Sequence, residues 1–152
     1  MNRNFSTPTI VLLLGYGGLI PFIGLALISL ISIFPRPFVE SAIFYYAATI
    51  LSFVAALHWG FAMTIKSLSE KEQTRRYLWS IIPPLLAWVA LLMTPSICAL
   101  ILIGGFIAHL WQDLRFNKLT EVDLPEWFIP LRIRLTTVAV TCLTVLLIHS
   151  TT

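Results

Sequence analysis

A chain of 152 residues that is 58% hydrophobic and 11% charged departs from soluble domains, in which about half the residues are apolar and about a quarter charged. Its mean hydropathy of +0.89 excludes a water-soluble globule. The net charge of +3 comes from basic residues lying between apolar runs, where they act as topology signals and form no nucleic-acid patch.

A hydrocarbon core about 30 Å thick is crossed by roughly 20 apolar residues. The apolar runs divide the chain into five such spans at about 8–34, 38–66, 74–94, 97–114 and 131–149, forming one all-α domain. The first run is longer than a signal-peptide core and has no good small-residue cleavage site, so it is expected to stay attached as a transmembrane helix. No Arg-rich, Ser-rich presequence precedes it, which favours a bacterial inner membrane. Within this run, GYGGLIPFIG carries Gly15, Gly17, Pro21 and Gly24. Proline at 21 leaves the carbonyl of residue 17 without its helical donor, so a kink is expected there. The glycines offer a face on which another helix approaches closely.

Pro35-Arg36-Pro37 separates the first two spans. The second span ends in ALHWGFAMTIK, with His58, Trp59 and Gly60 before Lys66, Gly60 being expected at a helix-packing contact. Ser69-Glu70-Lys71-Glu72 fits a capping box, in which the serine accepts a first-turn N–H and the glutamate reaches back. The third span contains Pro83-Pro84, expected to break it by freeing the carbonyls of Trp79 and Ser80. After the turn Thr94-Pro95-Ser96, the fourth span carries Gly104-Gly105 as a close-contact point and closes in AHLWQDLR, with His109, Trp111 and Asp113. Cys98 and Cys142 fall inside apolar segments as inert small hydrophobes, and no disulfide framework is implied. In the last long loop, Leu124, Trp127, Phe128 and Leu131 make one apolar face. That spacing suits a short interfacial helix over 123–129, anchored by Trp127 and stopped by Pro130, or equally a solvated loop whose tryptophan touches the membrane. Trp59, Trp111 and Trp127 are expected to anchor at the membrane interface.

Five spans put the N-terminus and the loops at 67–76 and 113–132 on one side. Arg3, Lys66, Lys71, Arg75, Arg76, Arg115, Lys118, Arg132 and Arg134 share that side, with Arg36 alone opposite. The positive-inside rule places the N-terminus in the cytoplasm and the C-terminus outside. His58 and His109 then lie about 12 Å and 9 Å from their cytoplasmic markers Lys66 and Arg115, at nearly one depth. Three readings follow: axial ligation of haem iron, a quinone or proton site, or ordinary helix contacts such as His109 with Asp113 at i, i+4. No intramembrane carboxylate pair, G-x-S-x-G, H-E-x-x-H or phosphate loop is present, so no catalytic residue, metal or cofactor is expected.

The stretches GYGGLIPFIG, ALHWGFAM, PPLLAW, GGFIAHLWQDLR and LPEWFIPLR resemble, in that order, a family of small multi-pass membrane proteins of unknown function that includes mitochondrial transmembrane protein 69. The resemblance covers about Leu14 to Leu135 and implies a compact helical membrane protein with no assigned activity. It also singles out Gly15, Tyr16, Pro21, His58, Trp59, Gly60, Pro83, Asp113, Pro125, Trp127 and Arg132 as positions to test. The expectation is a non-enzymatic accessory or assembly partner whose contacts are the lipid bilayer and other membrane proteins. The alternatives are a small proton-linked carrier and a haem- or quinone-binding redox subunit.

Overall fold

The computed structural model of the protein describes residues 9–31, 33–119 and 124–151. They form α1 (Thr9–Gly17), α2 (Ile20–Ile31), α3 (Arg36–Thr64), α4 (Glu70–Ala90), α5 (Pro95–Asn117) and α6 (Phe128–Thr151). No strand occurs among the described residues. Thr9–Ile31, Arg36–Thr64, Pro95–Asn117 and Phe128–His149 are each long and apolar enough to cross a membrane. The remaining long helix, α4, falls outside that set because its first turns carry Glu70, Lys71, Glu72, Arg75 and Arg76.

Prolines mark helix starts more than stops. Pro37 sits in the first turn of α3 and Pro95 at the beginning of α5, where a missing N–H costs nothing because the first-turn donors have no helical acceptor. Pro130 lies in the first turn of α6 for the same reason. This corrects the interfacial helix expected over 123–129. Residue 123 lies outside the described residues, Leu124 and Pro125 are non-helical, Glu126 and Trp127 form a turn, and the helix begins at Phe128 and runs through Pro130.

The first span is interrupted as expected near Pro21, but the break lies just before the proline, at Gly18–Leu19. There the Leu19 N–H bonds the Tyr16 carbonyl at 3.0 Å, and the Tyr46 hydroxyl donates to the freed Gly18 carbonyl at 2.7 Å. The break expected at Pro83–Pro84 does not form, since α4 runs unbroken from Glu70 to Ala90. Its neighbours hold the helix continuous across the two lost backbone bonds, a tolerance that packed membrane helices share. At the start of α4 the capping box is half made. Ser69 Oγ accepts from the Glu72 N–H at 3.4 Å, while the Glu72 carboxylate turns to Arg75 and Arg76.

The core centres on α3, which touches α2, α4, α5 and α6. Ile43, Ala47 and Leu51 of α3 are fully buried and form one core cluster with Leu102 and Phe106 of α5, Leu143 of α6 and Phe22 of α2; Ala55 is fully buried as well. Alanines at 47, 48, 87, 90, 99 and 139 are also buried. Because lipid tails are as apolar as leucine, helices associate through such close packing and not through a hydrophobic drive. Of the glycines expected at close contacts, Gly105 and Gly15 serve that role. A Cβ built on Gly105 would stand 2.7 Å from Leu51 Cδ2, and one on Gly15 would stand 3.4 Å from Leu135 Cδ1. Gly17, Gly24, Gly60 and Gly104 face open space within 4 Å, a correction that follows from their lying on outward helix faces.

Gly105→Leu is expected to lower stability by about 1–3 kcal/mol through overpacking. Gly104→Leu, one residue earlier, should be neutral or stabilising because leucine is the better helix former by close to 1 kcal/mol. Thermal unfolding in detergent of the two variants checks the contrast.

Candidate functional site

Two helices present polar side chains at one repeated spacing. Glu72, Arg75, Arg76 and Trp79 on α4, and His109, Gln112, Asp113 and Phe116 on α5, each follow the i, i+3, i+4, i+7 pattern that makes a single helical face. With His58 of α3 and Arg132 of α6 they meet inside the bundle. His58, Arg76, His109 and Asp113 have no exposed surface.

Asp113 is the hub. Its Oδ1 lies 3.1 Å from His58 Nε2 and 3.9 Å from His109 Nε2, and Arg132 Nε donates to its Oδ2 at 2.8 Å. The far side of each imidazole is held as well. The Trp79 indole N–H donates to His109 Nδ1 at 3.1 Å, and Arg76 Nη1 lies 3.4 Å from His58 Nδ1. Arg76 also donates to Glu72 Oε2 at 3.0 Å, and its guanidinium stacks 4.3 Å from the centroid of the Phe116 ring. At the rim Arg75 bonds Glu72 and reaches Gln112 Oε1 at 3.4 Å. Burial raises the Glu72 carboxyl, but the hydrogen bonds and charges of Arg76 and Arg75 outweigh it, leaving the group below its usual range. Among the described residues, three buried nitrogens make no hydrogen bond: Arg76 Nε, Arg132 Nη2 and His109 Nε2. The last lies 3.9 Å from Asp113 Oδ1, beyond hydrogen-bond distance.

The donors fix the tautomers. Indole and guanidinium only donate, so both Nδ1 atoms accept and each imidazole carries its hydrogen on Nε2; that of His58 is donated to Asp113 Oδ1, whereas that of His109 makes no hydrogen bond. His58, His109 and Asp113 offer ligand atoms within 4.8 Å of one another. However, a metal-binding imidazole offers one nitrogen lone pair and donates from the other nitrogen. Here both Nδ1 atoms already accept, and two guanidiniums add positive charge, so the donor set does not suit a cation. Axial haem ligation fits no better: the rings meet edge to face with centroids 5.1 Å apart, too close for an iron between them, and His58 Nε2 is bonded to Asp113.

The structure thus brings together His58, His109 and Asp113, the three candidates from the sequence, and adds Arg132, which only the family resemblance marked. Arg76, Trp79, Glu72 and Gln112 were not singled out as site residues. In the sequence Arg76 is a topology signal, although its place four residues after Glu72 and three before Trp79 shares a face with both. Trp59 and Trp111 are exposed, the first against Tyr77 with centroids 4.8 Å apart and the second under the Arg115 guanidinium at 5.6 Å. Trp127 is half-buried beside Phe128.

Removing one member strands the others. Asp113→Leu should cost about 3–5 kcal/mol by leaving the Arg132 charge buried without its partner, and Asp113→Leu/Arg132→Leu should recover part of that loss. A double-mutant cycle in detergent measures the coupling. Prolonged chelation should leave the wild-type unfolding midpoint unchanged, and a fall would overturn the argument from the donor set.

The pattern of the family described as "Protein of unknown function (DUF3429)" matches residues 7–148. Transmembrane protein 69 of Xenopus tropicalis is 38% identical over 145 residues, covering 94% of this chain and 55% of the relative. The chain therefore spans about half the length of that relative. No solved structure matches. This chain is a multi-pass membrane protein belonging to the DUF3429 family.

Proposed function

We propose that the chain is a non-enzymatic accessory or assembly partner of a larger complex in a bacterial inner membrane, acting by lateral contact through the bilayer. The observation that carries this reading is that Asp113 and the two imidazole Nδ1 atoms are bonded from within the bundle. Both oxygens of Asp113 and both Nδ1 atoms are spent on neighbouring helices, an arrangement suited to fixing α3, α4, α5 and α6 against one another. In this reading the bundle crosses five times, with α1 and α2 as one broken crossing and α4 as the third. The N-terminus is cytoplasmic, the C-terminus outside. Support for the α4 crossing comes from its course beyond Tyr77, where Leu78, Ile81, Ile82, Leu85, Leu86 and Trp88 are exposed apolar side chains. The short connections on either side of α4 also favour antiparallel neighbours.

The outer surface supports lateral contact too. A groove of about 430 Å3 runs between α3 and α4, lined by Ala48, Thr49, Ser52, Pro84, Ala87 and Trp88 among others. Small and hydroxyl-bearing side chains are what membrane helices use to approach one another. A second reading, a small proton-linked carrier, draws on two imidazole nitrogens 3.1 and 3.9 Å from one carboxylate oxygen, since ionisable groups inside a membrane often mark a transport path.

Mild-detergent affinity purification from the native membrane should return one stoichiometric membrane partner, and Thr49→Trp, on the exposed groove wall, should reduce its recovery several-fold without changing the chain's own unfolding. Recovery of the chain alone, together with proton or solute movement in liposomes that His58→Ala abolishes, would replace the accessory reading with the carrier. Reporter fusions at the two ends should report opposite faces of the membrane.

A further inference from the structure

The seam between α1 and α6 closes at Gly15, where a Cβ would stand 3.4 Å from Leu135 Cδ1 and 3.7 Å from Leu131 Cδ1. One residue along each helix, on the exposed surface, Arg134 Nη1 donates to the Tyr16 hydroxyl at 3.3 Å. Arg134 makes no ion pair among the described residues. In this it differs from Arg36, Arg75, Arg76 and Arg132, each of which meets a carboxylate. The surface around it is apolar: Ile10, Leu13 and Ile20 along the first span, and Ile133 beside Arg134, are exposed as side chains facing lipid are. Arg134 stands six residues past the start of α6, about 9 Å along its axis. A guanidinium at that level on a lipid-facing surface is costly unless it reaches an anion, and its long stem lets the charged head extend towards the membrane surface.

The hydrogen bond between the two side chains narrows the choice of anion. A guanidinium only donates, so the Tyr16 oxygen accepts. Its own hydrogen has no acceptor among the described residues, and the remaining N–H groups of Arg134 are uncommitted as well. Together they offer a planar fork and a hydroxyl to a group with several acceptor oxygens, and arginine matches phosphate bidentately. A phospholipid phosphate stands at the rim of the hydrocarbon core in either leaflet, whereas a partner's carboxylate would have to be brought there on another helix. Arg115 and Lys118, exposed at the same end of the bundle, also make no ion pair among the described residues. That excess of positive charge favours an anionic phospholipid over a zwitterionic one.

We infer that Arg134 and Tyr16 form a headgroup site for an anionic phospholipid. Its phosphate oxygens accept from the Arg134 guanidinium and the Tyr16 hydroxyl, and its acyl chains lie on the apolar face of the first span. The site needs only the seam between α1 and α6. It is independent of which protein the bundle contacts, so it goes beyond the accessory reading.

Native mass spectrometry of the full chain in detergent, titrated with phosphatidylglycerol and with phosphatidylcholine of the same acyl composition, reads the bound lipid. The wild type is expected to prefer phosphatidylglycerol. Arg134→Gln should weaken that binding about fivefold and Tyr16→Phe about threefold, with Arg134→Lys falling between wild type and Arg134→Gln. Lys118→Gln removes the same charge from an exposed position at the same end, and should leave phosphatidylglycerol affinity within about twofold of wild type. Unfolding midpoints without lipid should match across these variants because the side chains are on the surface, and if either Arg134→Gln or Tyr16→Phe fails to fold, the other reads the same outcome. Equal affinity for the two lipids, or a loss in Lys118→Gln as large as in Arg134→Gln, would overturn the assignment. So would inorganic phosphate alone raising the unfolding midpoint as much as phosphatidylglycerol does.

Discussion

A carboxylate enclosed by apolar helices is tolerated only while its charge is answered, and Asp113 is answered from two other helices at once. Arg132 on α6 takes one oxygen, His58 on α3 the other, and His58 in turn ties in α4 through Arg76. Such a network adds little net stability compared with a well-packed apolar replacement. Its effect is to select one register, because a helix that slides or turns by a residue leaves a buried guanidinium or carboxylate alone. In lipid, where apolar faces associate with little preference, that selectivity matters more than it does in a water-soluble core.

Packing and polarity divide the molecule along its length. Towards the end that carries Arg36 the helices meet through alanines, Gly105 and leucines, with Arg36 bonding Glu40 at 3.2 Å and reaching the His149 carbonyl at the edge. Around His58 and Asp113 the contacts are charged and aromatic, with Phe61 stacked on Phe116 and Phe116 beneath Arg76. The aromatic rings fill the space around long cationic side chains that could not otherwise be enclosed at native density, and they offer their negative faces to the charge.

The apolar runs were legible because bilayer thickness imposes a length that few other constraints imitate. The meeting of His58 with His109 was legible in depth, since two helices running in one direction from known markers can be measured by their rise. Rotation about the helix axis was not. Gly104 and Gly105 look alike in the sequence, yet one meets Leu51 and the other open space. Arg76 shows the same limit more sharply: counted as a loop cation, it proved to be fully buried because its face of α4 turns inward. Prolines misled where their position within a helix decides their effect. Pro130 was read as a stop and stands in a first turn, and Pro83–Pro84 was read as a break and lies within a continuous helix.

The pair of donors behind the imidazoles has one more chemical consequence. With Trp79 and Arg76 directed at the two Nδ1 atoms and hydrogens on both Nε2 atoms, neither ring has an uncommitted electron pair to offer an incoming electrophile. Histidines are ordinarily among the more readily acylated side chains of a protein, yet these two are masked by bonding as well as by enclosure. They behave as the joinery of the bundle, nucleophiles in composition only.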